Sequence, residues 1–165
     1  ALLSWLLALS LIDFDTMTLP NPLTQSGLLV GLGYQAVRGW KGESLNTTVS
    51  EQLMLGIVGA VLGIWLFDVI TIVASGILRQ TAMGGGDAKL AAMMGAWLGW
   101  KLLLVSCFLA CVVGAVIGSG AIALGILSRG QPMPFGPFLA LGGAIAIFYG
   151  ERLIATYVNV FFPTF

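Results

Sequence analysis

Residues 102–128 form a run of 27 positions without one charged side chain. Coiled as an α-helix at about 1.5 Å per residue, that run reaches about 40 Å, enough to cross a hydrocarbon core of about 30 Å. The rest of the chain has the same character. Of 165 residues, 58% are hydrophobic and 8% charged, where a soluble domain carries about 25% charged residues. Seven acidic and seven basic side chains cannot cover a 17.3 kDa globule in water. The bilayer is therefore the expected solvent. A net charge of zero excludes a basic nucleic-acid binder and an acidic disordered tail. There is no histidine, so Ser-His and Cys-His catalysis and histidine-ligated metals are excluded, and acid–base chemistry falls to Asp, Glu, Lys, Tyr or Cys.

The charges divide the chain into spans. Residues 1–12 are apolar up to Asp13 but too short to cross a bilayer, which suggests a first helix cut at its upstream end. Residues 13–23, with Pro20 and Pro22, read as a loop or broken helix. Residues 24–37 form a short apolar stretch, and 38–52 the longest polar segment. Residues 53–78 make a full span interrupted by Asp68. The glycine-rich 79–89 is a break, and 90–100 is a short apolar piece closed by Trp97, Trp100 and Lys101 at an interface. After 102–128 come a proline-rich loop, 129–137, and a last span, 138–160, with Glu151 and Arg152 near one membrane surface. The expected fold is all-α: one polytopic membrane helix bundle over 1–165, of about six helices, some short or broken. The pairs Gly59/Gly63, Gly95/Gly99 and Gly114/Gly118 suit close helix packing. Cys107 and Cys111 share a helix face and read as small apolar filler.

If the spans alternate, 13–23, 79–89 and 129–137 share one membrane side. That side holds Arg79, Lys89 and Arg129; the other holds Arg38, Lys41, Lys101 and Arg152. Three against four does not orient the chain by positive charge. The alternation nevertheless puts Asp13 and Asp87, 74 residues apart in sequence, at the same end of the bundle. A carboxylate at membrane depth is costly and points to function. Two in close approach share one proton, so that one can activate water while the other donates to a carbonyl oxygen. The alternative is that each aspartate caps a helix or faces solvent. Gly84-Gly85-Gly86 before Asp87 disfavours regular helix and leaves backbone free to meet an extended peptide.

Gly84-Gly85-Gly86-Asp87-Ala88-Lys89-Leu90 with Gly95-Ala96-Trp97-Leu98-Gly99-Trp100 resembles the GxGDxKL…GAWLGW block of type IV prepilin peptidases. Leu11-Ile12-Asp13-Phe14-Asp15 with Leu19-Pro20-Asn21 and Leu23-Thr24 is similar to that family's first aspartate block, and Pro134-Phe135-Gly136-Pro137-Phe138-Leu139-Ala140 to its third. The resemblance implies a GxGD membrane aspartyl protease of the bacterial inner membrane. Such an enzyme, an aspartic endopeptidase, removes the leader of type IV prepilins or type II secretion pseudopilins after a glycine, at the cytoplasmic face, while the apolar helix of the substrate lies in the bilayer. It implies Asp13 and Asp87 as the catalytic pair, with Gly84, Gly85, Gly86 and Lys89 as backbone and substrate support, and no metal or cofactor. Many members also methylate the new pilin N-terminus and carry a four-cysteine region; nothing in these 165 residues corresponds to it, and that region is expected upstream.

Other residues compete for roles. Asp15 would point about 200° away from Asp13 on a helix and is the second candidate for the pair. Lys89 either steadies Asp87 or extends to headgroups. Asp68 has Thr71 within one turn as a possible hydrogen-bond partner. Glu151–Arg152 reads as a weak interfacial pair. Two rival readings remain at this level: a small transporter or channel with broken helices, and a non-catalytic subunit of a membrane assembly.

Overall fold

The computed structural model describes residues 1–41, 48–78, 85–125 and 134–161. Five helices account for them, and no strand occurs among the described residues: α1 (Leu2–Thr16), α2 (Asn21–Lys41), α3 (Val49–Leu78), α4 (Gly85–Ala123) and α5 (Gly136–Phe161). Three of these, α3, α4 and α5, are long and apolar enough to cross a membrane.

Three boundaries shift from the sequence reading: α4 already begins at Gly85, inside the break expected over 79–89 and despite its glycines, and two others move for local reasons. The expected loop at 13–23 is mostly helix. α1 continues to Thr16 and stops at Met17, whose left-handed φ of 50° ends the helix while its N–H bonds Asp13 O at 2.8 Å. Pro22 then falls in the first turn of α2, where its missing N–H costs nothing. The polar segment 38–52 also contributes helix at both ends. α2 runs on to Lys41, and α3 starts at Val49 behind Thr48, whose N–H donates to Glu51 Oε2 at 2.9 Å, one half of a capping box.

The 39 residues of α4 are not one rod. Gly99 has φ 74° and ψ 172°, a conformation essentially confined to glycine, and it breaks the helix. Neighbouring contacts show that the chain reverses there. Before the break, α4 runs antiparallel to α3: Gly56 lies on Ala96, Gly59 on Gly95 and Gly63 on Ala91. It runs parallel to α5, with Gly136 beside Asp13 at one level and Gly143 on Met94 further along. After the break, α4 runs antiparallel to α5, with Leu102 on Gly150, Ser106 on Gly142 and Gly114 on Phe138. The fourth element is thus two antiparallel arms, and the bundle has six passes. The piece 90–100 of the sequence reading falls in the first arm, and the piece 102–128 corresponds to the second arm as far as Ala123, its last residues lying outside the described ones.

The first arm is the core. From Asp87 to Trp97 every residue except Lys89 is buried. A helix apolar all round must be surrounded, and its small residues let neighbours close in. A Cβ on Gly59 or Gly95 would collide with the backbone of the other, so α3 meets the arm main chain to main chain. Gly114 is looser, with Phe138 at 3.6 Å. Trp97 fastens the arm to α2 through Nε1–H to Gly27 O at 2.8 Å, and Gln35 Nε2 donates to Trp97 O at 3.1 Å. That carbonyl lies two residues before the break, where helical partners run out.

Outer faces carry bulky apolar groups such as Leu7, Phe14, Trp65, Phe108, Val116 and Phe148. Continuous exposure of this kind matches lipid, not water. Lys101 is exposed at the turn between the arms, its ammonium 5.6 Å from the Trp100 ring, in keeping with an interfacial position.

Candidate active site

One end of the bundle gathers the last turn of α1 and the first turns of α2, α4 and α5. Asp13 sits in the last turn of α1, one turn before the Met17 cap. Its side chain points inward, 5% exposed, while Asp15 two residues on is exposed. The helical rotation between them decides which carboxylate enters the bundle. Asp87 lies in the first turn of α4, on the buried arm, and is 8% exposed. The Gly86–Leu19 contact and the Lys89–Asn21 bond hold the start of α4 against the α1–α2 connection, at the end of the bundle where Asp13 lies. Two acidic groups from distant parts of the chain therefore share one buried end, as the alternation of spans required.

A third element fixes the orientation of the first. The N–H of Gly136, the opening residue of α5, donates to Asp13 Oδ2 at 3.0 Å. The first N–H groups of a helix have no partner inside it and suit an anion. A Cβ at position 136 would run into the Asp13 carboxylate, so only glycine allows this approach. Phe135 beside it stacks at a tilt on Phe67 of α3, centroids 5.9 Å apart. The block 134–140 is visible in sequence, but the donor is a main-chain group, which the residue letters do not show.

The glycines before Asp87 divide. Gly86 faces Leu19, which a Cβ would meet at 3.1 Å, so its bareness lets the start of α4 seat against the α1–α2 connection. Gly85 faces open space. Gly84 lies outside the described residues, as do Arg79 and Arg129. Lys89 is exposed, and its ammonium donates to the Asn21 side chain, tying the first turns of α4 and α2 together at the rim of the site. Asp68 is exposed on α3; the Thr71 hydroxyl bonds the Phe67 carbonyl at 2.7 Å instead. Cys107 is buried and Cys111 exposed, and both are free thiols. Glu151 and Arg152 are exposed on α5. A cavity of about 960 Å³ opens at the opposite end, beside Val30, Tyr34, Arg38 and Trp97, and no aspartate lines it.

The fold and the site define a multi-pass helical membrane protein that holds two buried aspartates at one end of its bundle. The chain belongs to the type IV leader peptidase family, whose family model matches residues 1–119. It is 37% identical to the prepilin leader peptidase/N-methyltransferase of Stutzerimonas stutzeri, over 96% of this chain and 52% of that protein. It is 38% identical to the protein of the same name from Pseudomonas aeruginosa, over 96% and 51%, and 39% to that of Burkholderia pseudomallei, over 88% and 44%. The chain thus spans about half the length of the curated relatives it matches. No solved structure matches it.

Proposed function

We propose that this chain is the peptidase part of a leader-removing enzyme: a membrane-embedded aspartic endopeptidase of the bacterial inner membrane. It cuts the leader from type IV prepilins or type II secretion pseudopilins, after a glycine, at the cytoplasmic face. The observation that carries this reading is the burial of Asp13 and Asp87 together at one end of the bundle.

The chemistry follows from two carboxyls sharing one proton. The ionised one takes a proton from a water molecule, and the water oxygen bonds to the scissile carbonyl carbon. The protonated one gives its proton to the carbonyl oxygen, forming a neutral diol. On collapse the C–N bond breaks, one diol hydroxyl returns its proton through the carboxyls to the leaving nitrogen, and the pair regains its starting state. The Gly136 N–H holds Asp13 in place through this cycle. Gly85, open to space in the first turn of α4, gives the extended leader a place to approach the backbone, and Lys89 braces the rim through Asn21.

The test incubates purified protein with a leader-bearing prepilin and reads the gel shift of the shortened product. Wild type cleaves; Asp13→Asn and Asp87→Asn, each still folded, do not. Near-normal cleavage by either variant rejects the pair.

A further inference from the structure

Beside the aspartates the helices end at two heights. α1 stops at Thr16, α2 starts at Asn21, and α5 starts at Gly136, the residue that donates to Asp13. The first arm of α4 starts there too, with Lys89 on Asn21. α3 and the second arm do not stop at this level. Phe67 of α3 lies on Phe135, one residue before Gly136, so α3 runs on to Leu78 for about another 16 Å. Gly114 of the second arm faces Phe138, so the arm passes Gly136 near Val116 and runs on to Ala123 for about another 10 Å. Both overshoots are apolar outside: Val69, Ile72 and Val73 on α3, and Val116, Ile117 and Ile122 on the arm, are exposed.

The charges stop short of where these two helices end. Asp15, Asp68 and Lys89 are exposed at the level of the aspartate pair. Lys101 is exposed at the turn between the arms, and Arg38 sits at that opposite end with its guanidinium 5.8 Å from the Tyr34 ring. Between the two levels the helices are short. Asp87 to Gly99 rises about 18 Å, Gly136 to Gly150 about 21 Å and Asn21 to Arg38 about 25 Å. A hydrocarbon core is about 30 Å thick. In a bilayer of even thickness with Lys101 at one surface, the charges beside the aspartates would lie about 5–12 Å inside the hydrocarbon, where a charge is expensive. α3 and the second arm, by contrast, are long and apolar enough to reach the far surface.

We propose that this protein thins the bilayer where α1 and the start of α2 face lipid, while α3 and the second arm keep it at full depth. The partner of this stepped surface is the acyl-chain layer itself, which follows the short helices inward on one flank. Headgroups and water then reach the level of Asp15 and the aspartate pair. The leader meets the aspartates there without carrying its polar backbone into hydrocarbon. That use of the step rests on the leader-cleavage reading; the step itself follows from helix lengths and charges.

The experiment places a fluorescent label at two positions of equal height, Asp15→Cys on α1 and Val116→Cys on the second arm. Both are exposed. The background is Cys111→Ser, with buried Cys107 left in place. Each protein is reconstituted in dioleoyl phosphatidylcholine carrying a nitroxide either on the headgroup or midway down the acyl chain. Expected is quenching of the Asp15→Cys label about threefold more by the headgroup nitroxide, and of the Val116→Cys label about threefold more by the acyl-chain nitroxide. Should Val116→Cys fail to fold, Ile117→Cys takes its place. Equal response of the two labels, to either nitroxide, means an even bilayer and overturns the step. An Asp15→Cys label that neither nitroxide quenches means a water-filled notch and overturns thinning by lipid. The use of the step is read as kcat/KM for prepilin cleavage by wild type, expected to fall about fivefold or more from dipalmitoleoyl to the longer dierucoyl phosphatidylcholine. A flat profile overturns that use. Absence of cleavage in every lipid defeats the leader-cleavage reading, and the quenching result still decides the step.

Discussion

The separation of Asp13 from Asp15 is the finest distinction the site makes. Both precede the same helix end, yet one is buried and the other exposed. Asp15→Asn is expected to leave leader cleavage within about twofold of wild type, while Asp13→Asn removes it; a steady-state assay on both variants checks this. Full loss in Asp15→Asn alone would move the pair. Gly136 is the second residue-scale test. Gly136→Ala puts a methyl where the Asp13 carboxylate lies and pushes that carboxylate off the Gly136 N–H. A donor aimed at a reacting group is worth about 3 kcal/mol, a loss of about 10²-fold in kcat. KM is expected to hold within about threefold, because the methyl would lie against the Asp13 carboxylate. A merely structural role would lower the unfolding temperature and leave kcat per folded enzyme unchanged. Asp13 and Asp87 were legible in the sequence because a charge in an apolar chain stands out. The Gly136 donor was not, since a main-chain N–H has the same letter wherever it points. The partner of Lys89 was not legible either: nothing in the spacing of Asn21 and Lys89, 68 residues apart, predicts their bond.

At the scale of the element, the break in α4 depends on one backbone conformation. Gly99 sits at φ 74° and ψ 172° with open room for a Cβ, whose nearest neighbour would be Leu55 O at 3.8 Å. Substitution there is therefore opposed by the backbone alone. Gly99→Ala is expected to destabilise the protein by about 1–3 kcal/mol, read as a lower unfolding temperature in detergent. Gly33→Ala, on a helix with nothing within 4 Å, is the control, and is expected to be neutral or stabilising by up to about 1 kcal/mol. Gly95→Ala fails by the opposite mechanism. Its backbone would accept alanine, but the methyl would collide with the Gly59 carbonyl and part α3 from the arm. The sequence pattern identified these glycines as packing residues and was right for Gly59 and Gly95. It grouped Gly99 with them, because a glycine needed for contact and a glycine needed for φ look identical in sequence. Helix ends were missed where polar residues extended a helix, as at Arg38–Lys41, because hydropathy reports the solvent of a helix and not where its hydrogen bonds stop.

The whole molecule turns on whether α4 crosses once or twice. A straight helix of 39 residues would be about 58 Å long, nearly twice a hydrocarbon core of about 30 Å, and would leave Lys101 near the membrane centre. A charge there is expensive, and the reversal at Gly99 removes the conflict by bringing Lys101 to a surface. Six passes also bring Leu2 and Phe161 to one side and the aspartate end to the other, which five would not. The alternation of charged breaks in the sequence contained this arrangement. Its orientation in the bilayer was absent, because three basic residues on one side nearly balance four on the other. Single cysteines in a background with Cys107 and Cys111 replaced by Ala separate the two topologies. Asp15→Cys and Lys101→Cys are each exposed positions, and a membrane-impermeant maleimide is expected to label them from opposite faces, Asp15→Cys from the cytoplasm. With a single crossing, Lys101→Cys would be shielded by lipid and resist the reagent from both faces. Labelling of both from one face would place the turn at Gly99 beside the aspartates and remove the geometric basis for a single cytoplasmic active site.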